Sequence, residues 1–193
     1  MRPPARERLL AIVGLSLPNA FARLAADDAG FPIESFVEQY KAAFHALRRA
    51  EQHLEPLFPG AREAIDALAA HDDVVLGIAT GKSRRGVDAV LGRHGLLDRF
   101  VTIQTADDAP SKPDPGMVLN AMGEVGAAPA NTIVVGDTAF DVSMARAAGA
   151  QAIGVAWGYH ETTELAAAGA LTVISHFDAL VPELTRVWAA SAA

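Results

Sequence analysis

This chain of 193 residues is predicted to be an α/β protein: a parallel sheet with helices on both faces, preceded by a helical segment without a strand of its own. Three observations predict it. Beyond residue 59, short apolar runs alternate with amphipathic stretches at the spacing of βαβ units. Those runs are nearly continuous in apolar residues, as expected of strands covered on both faces. Before residue 59 the periodicity is helical apart from one short ambiguous run at 9–13. The boundary between a helical unit, 1–58, and an α/β unit, 59–193, is therefore placed at Pro59.

In chain order, residues 9–13 fit either a short strand or a helical turn, the basic run before them leaving both open. Asn19 is an expected N-cap, followed at helical spacing by Phe21, Leu24 and Ala25, with Gly30 and Pro32 ending the helix. Residues 33–49 carry Phe36, Val37, Tyr40, Phe44 and Leu47 on one face. Residues 54–59, with two prolines, read as a linker. Then come a helix at 60–70 with Ile65 and Leu68 inward, a strand at 74–79, and a helix at 83–94 with Val87, Val90 and Leu91 inward. A strand at 101–104 precedes a helix at 115–125, whose Pro115 sits near its start where a missing N–H is harmless. A strand at 132–135 leads to a helix at 138–148 closed by Gly149. A strand at 153–155, a helix at 161–167 and a strand at 171–174 complete the pattern.

Composition narrows the function classes. With 51% hydrophobic and 20% charged residues the chain is not wholly disordered. A net charge of −7 argues against a general nucleic-acid surface. The absence of cysteine removes disulfides, thiolate catalysis and thiolate zinc sites, and fits a reducing cytoplasm. The mean hydropathy of +0.20 comes from alanine. No apolar run reaches the ~18 residues of a membrane span, and no signal peptide is evident, so no membrane partner is expected.

Parallel sheets collect their chemistry at the carboxyl ends of the strands. After 74–79 comes Thr80-Gly81-Lys82-Ser83. Its hydroxyls can meet a phosphate at a helix start, or simply cap that helix. After 101–104 comes Ser111-Lys112-Pro113-Asp114-Pro115. Prolines restrict the backbone around Lys112, whose compact charge suits a phosphate or a crowded carboxylate; the alternative is a solvated loop lysine. After 132–135 comes Gly136-Asp137-Thr138-Ala139-Phe140-Asp141. Asp137 and Asp141 stand one helical turn apart and share a face. Hard carboxylates beside a phosphate suit Mg²⁺; alternatively Asp137 caps the helix and Asp141 is an acid near its positive end. The six histidines lack ligand spacing, Arg84 and Arg85 could meet an anionic substrate or be ordinary exposed helix positions, and Trp157 and Tyr159 could border a site or pack in a core.

In this order the three motifs resemble those of the haloacid-dehalogenase-like hydrolase superfamily, in its phosphoglycolate-phosphatase-like branch. Ala79-Thr80-Gly81 is similar to its second motif, Lys112 with Pro113 and Pro115 to its third, and Gly136-Asp137 with Asp141 to its fourth. Ala145-Arg146-Ala147-Ala148-Gly149 and Trp157-Gly158-Tyr159 extend the likeness, and Gly14-Leu15-Ser16-Leu17-Pro18 resembles its cap loop. The resemblance implies a Rossmann-like core with a small helical cap, and hydrolysis of a small phosphorylated metabolite. It implies phosphate binding by Thr80, Gly81 and Lys112, Mg²⁺ held by Asp137 and Asp141, and a substrate faced by Ser16, Leu17 and Asn19.

One departure stands against it. The family's first core strand ends in Asp-x-Asp, supplying the nucleophile and the general acid-base, and no Asp-x-Asp occurs in the 193 residues. The expectation is a chain lacking a few tens of N-terminal residues, and with them a central strand, so that it is inactive as it stands. The alternative is a non-catalytic phosphate-binding or interaction module of the same fold.

Overall fold

Apolar runs become strands here only where a parallel neighbour meets them. In the computed structural model, which describes residues 3–49 and 55–191, β1 (Gly77–Ala79) pairs with β2 (Thr102–Gln104), with Ile78 opposite Ile103. A second sheet has the order β3 (Ile133–Gly136), β4 (Gln151–Val155), β5 (Thr172–Ile174), also parallel. The strand expected at 74–79 is thus shorter. Before Gly77 only the Leu76 carbonyl reaches a neighbour, accepting from Val101 N–H, and Val75 lies 53% exposed.

Helices connect and cover the strands. Along the chain, α1 is Arg6–Leu10, α2 Leu17–Leu24, α3 Ile33–Arg49, α4 Ala61–Ala69, α5 Arg84–His94, α6 Gly116–Val125, α7 Ala139–Ala147, α8 Thr162–Ala167 and α9 Leu180–Ser191. One face of the sheets is covered by α6, α7 and α8, whose Met117, Val142, Met144 and Leu165 are fully buried around Ala152 of β4. The opposite face carries α4 and α9, with Ala64, Leu68, Leu180 and Leu184 against Ile153, Val155 and Ile174. Successive residues of β4 therefore point into different cores, as the period of two demands. A third cluster, Val87, Leu91 and Leu96, packs with Ile78 and Ile103. Among the described residues no helix is long and apolar enough to cross a membrane.

Among the described residues no backbone ladder joins β1 to β3. Thr80 N–H donates to Gln104 O at 2.9 Å, so Ile78 and Thr80 turn towards β2, and by alternation Gly77 and Ala79 turn away. Gln151 N–H donates to Thr132 O at 3.0 Å, which by the same alternation turns Ile133 and Val135 of β3 away from β4. Val135 is 39% exposed although it belongs to a strand between covering helices. The two sheets are held together by side chains above and below. Ala79 and Val134 pack on one shared cluster, and Leu76 and Ile133 on the other.

The strand alternative for residues 9–13 does not hold: α1 ends at Leu10 and turns follow, with Ile12 N–H donating to Leu9 O. Asn19 is not an N-cap. Ser16 takes that position with extended backbone, because Pro18 suits the first helical turn and draws the helix start forward, leaving Asn19 inside it. An edge-to-face set of Phe21 with Phe36 and Tyr40 joins α2 to α3. α9 was not expected, although Leu180, Leu184 and Val187 recur at four and three residues and are all buried. Of the expected linker 54–59, Leu54 lies outside the described residues, and 55–58 carry no regular structure.

Candidate active site

The site assembles where the strands of both sheets end. Past β1, Thr80 Oγ1 accepts from Lys82 N–H at 3.2 Å, so its hydroxyl shapes the turn into α5. Ser83 is the N-cap of α5, accepting from Gly86 N–H at 3.3 Å. A Cβ on Gly81 would stand 2.6 Å from Gly14 O and 2.8 Å from Leu15 O, so the segment entering α2 lies directly on the turn. Gly14 itself has φ +97°, a backbone suited to glycine, and its open side faces the Thr138 side chain. Ser16 N–H donates to Ser111 Oγ at 2.9 Å. Residues 14–16 thereby touch all three motifs: the turn after β1, the lysine loop and the start of α7.

Lys112 is 5% exposed and its ammonium is bonded to Asp141 Oδ1. Asp141 is equally buried and fully engaged. Its Oδ2 accepts from Thr138 N–H at 3.0 Å and Thr138 Oγ1 at 2.6 Å, while Thr138 Oγ1 accepts from Asp141 N–H, a complete capping box on α7. Lys112 is thus not a solvated loop lysine, and Asp141 is not a surface acid. A buried pair of this kind offsets its desolvation only through such added hydrogen bonds.

Asp137 is placed differently. It lies just past β3, partly buried, with Oδ2 accepting from Tyr159 N–H at 3.1 Å and its carbonyl accepting from His160 N–H at 3.2 Å. Burial, and then the negative charge of Asp141, push its carboxyl above the ordinary 3.8, with Lys112 and the Tyr159 amide opposing. Two glycines make room for the acids. A Cβ at Gly136 would fall 2.2 Å from Asp141 Cβ, and one at Gly158 would fall 2.0 Å from Asp137 Cβ.

Of the expected substrate-facing residues, Ser16 is buried against the lysine loop, Leu17 is half-buried and Asn19 exposed on the first turn of α2. Trp157 packs on Phe177 at 4.6 Å, whereas Tyr159 is 51% exposed. Arg84 is tied to β2 and the loop after it, its backbone N–H donating to Asp107 and its guanidinium to Asp108 and to Ile103 O. The Thr105 hydroxyl, and after it this arginine, hold the Asp108 carboxyl below its usual range. Ser111 and Gly158 lie inside the motifs singled out in the sequence but have no role assigned there, and His160 is not singled out at all.

Comparison with known proteins places this architecture among phosphate-handling α/β hydrolases. The family model for haloacid dehalogenase-like hydrolases matches residues 1–155. The probable phosphatase IndB of Dickeya dadantii is 37% identical over 186 residues, covering 91% of this chain and 76% of that protein. A phosphoglycolate phosphatase of Pseudomonas putida is 31% identical over 150 residues, covering 77% of this chain and 55% of its own length. A crystal structure of a hydrolase from Pseudomonas syringae superposes with a TM-score of 0.82 at 27% identity, covering 95% of this chain and 84% of that one. The chain belongs to the haloacid dehalogenase-like hydrolases, in a phosphoglycolate-phosphatase-like branch.

Proposed function

We propose that these residues form the phosphate- and cation-binding part of a Mg²⁺-dependent phosphatase for a small phosphomonoester, phosphoglycolate-like by its relatives. The observation that carries this reading is the buried Lys112–Asp141 pair set against a second carboxylate, Asp137, whose charge burial leaves poorly compensated. In this reading Thr80 and the Gly81 turn bind phosphoryl oxygens, and Lys112 uses the donors left over from Asp141 to neutralise phosphate charge. Ser16, Leu17 and Asn19 face the remainder of the substrate.

The donor set suits Mg²⁺. It consists of carboxylate oxygens, and Mg²⁺ takes one or two of these while keeping water and phosphate as its other ligands. Among the described residues no cluster of three or more His, Cys, Asp or Glu side chains is gathered, which fits an ion held by few protein groups. Asp137 would hold it, and Asp141 would support it from its capped, lysine-bound position. When bound, the ion would supply positive charge beside the phosphate.

An attacking carboxylate is the part for which these residues offer no candidate, because no Asp-x-Asp occurs in the chain. The 193-residue polypeptide is therefore expected to bind inorganic phosphate with Mg²⁺ but to hydrolyse p-nitrophenyl phosphate no faster than buffer. Calorimetry and a release assay test the two halves separately. Turnover that disappears in Asp137→Ala would overturn the inactivity. The second reading is a phosphate-binding or interaction module of the same fold without catalysis. Phosphate binding that persists when an Asp-x-Asp strand is supplied, with no turnover, would select it.

A further inference from the structure

His160 is an imidazole with one nitrogen in use and the other orphaned. Its Nδ1 accepts from Ala139 N–H, in the first turn of α7, at 3.2 Å. The ring proton must then sit on Nε2. That atom is buried and has no hydrogen-bond partner among the described residues. A ring kept only for packing would not carry an unpaired buried N–H, which is costly. The acceptor at Nδ1 is what an apolar ring could not supply. The ring plane is fixed by Phe140, edge-on at a centroid distance of 5.2 Å, and Phe140 in turn lies under the Arg23 guanidinium of α2 at 5.3 Å.

The backbone of the same residue holds Asp137, since His160 N–H donates to the Asp137 carbonyl. One residue earlier, Tyr159 N–H donates to Asp137 Oδ2. We infer that His160 is a positioning residue for the Asp137 carboxylate. Its Nδ1 pins the loop 157–160 to the start of α7, and this keeps the Tyr159 amide on Oδ2 and fixes which way the carboxylate faces. The role lies in an acceptor at one point in space, so asparagine, whose Oδ1 can take the same place, should substitute for it and alanine should not.

This inference rests on reading Asp137 as the cation-holding group, and the test separates the two. Mn²⁺, read by electron paramagnetic resonance, serves as the probe, with Asp137→Ala as the control for site binding. The expected result is a five- to tenfold loss of Mn²⁺ affinity in His160→Ala and less than twofold in His160→Asn. In ¹⁵N NMR, the wild-type ring should show the Nε2–H tautomer. The Tyr159 amide resonance should move in His160→Ala and return in His160→Asn. Equal Mn²⁺ affinity in wild type and His160→Ala, an Nδ1–H tautomer, or a Tyr159 amide indifferent to all three side chains overturns the positioning role. Absence of site-bound Mn²⁺ in the wild type, with the tautomer and amide as expected, removes the cation reading and leaves the positioning of Asp137 standing.

Discussion

β4 runs for five residues, four of them buried, with a parallel partner on each side. β1 runs for three, none of them fully buried, and among the described residues it has a partner on one side only. The difference extends to what surrounds them. The three-stranded sheet sits between two apolar clusters that include Met117, Val142, Met144, Ile153 and Leu165, each with no exposed surface. The two-stranded sheet has the smaller cluster and relies on polar ties at its outer edge. Gln104 donates to Glu124 at 2.8 Å, Thr105 Oγ1 to Asp108 at 2.6 Å, and Arg84 reaches Asp108. One half is held by apolar burial, which salt does not screen. The other adds part-buried hydrogen bonds and one exposed ion pair, Arg84–Asp108, which contributes little singly and is screened.

Lys112 bridges the halves, since its loop follows β2 and its partner Asp141 lies after β3. Lys112→Met leaves a buried aspartate without its cation, which is expected to cost about 3–5 kcal/mol. Urea unfolding followed by tryptophan fluorescence and by circular dichroism should then give two separate midpoints. Coincident midpoints would show that the sheets unfold as one unit without the bridge. Leu165→Ala removes a fully buried side chain from the three-stranded half, at an expected cost of about 2–5 kcal/mol. Hydrogen exchange should accelerate at 152–155 under this change, with little effect at 78–80. Ser83→Ala unties the cap of α5, which covers β1, for about 1 kcal/mol. The exchange pattern should be the reverse of that for Leu165→Ala.

The smallest effect concerns Asp137. A carboxyl raised in the folded state adds stability below its ordinary value of 3.8, and that stability is lost as pH rises through the higher folded value. In chelator, Asp137→Asn should therefore raise the melting temperature at neutral pH and leave it unchanged at pH values below the ordinary one. Added Mg²⁺ should narrow the neutral-pH difference by stabilising the wild type. A neutral-pH melting temperature that falls on substitution would mean that the Tyr159 hydrogen bond outweighs the desolvation of the carboxylate.

Local pattern made much of this molecule legible. The βαβ alternation predicted the chain order of the strands found among the described residues, and a helix beginning at residue 33. It could not tell that 74–76 would lack a ladder partner, because strand length is decided by the neighbour and not by the run itself. The pair Asp137 and Asp141 was visible as a spacing of four. Their different environments were not, because Lys112 reaches Asp141 from 29 positions away and Tyr159 reaches Asp137 from 22. The capping box was readable in principle, since Thr138 and Asp141 stand at the required interval. The tie from His160 to Ala139 joins a loop to a helix start, and no periodicity announces such a contact.

Gly136 and Gly158 carry a consequence for how this chain could vary. Each acid occupies space that a neighbouring methyl group would claim, within 2.2 Å at Gly136 and 2.0 Å at Gly158. In a library randomised at every codon from 134 to 160, these two positions should return glycine alone under selection for a folded product. Val135 and Tyr159, which adjoin them and are 39% and 51% exposed, should return a wide alphabet. The map of tolerated substitutions would outline the two carboxylates as a mould outlines a casting, through residues that bear no functional group at all.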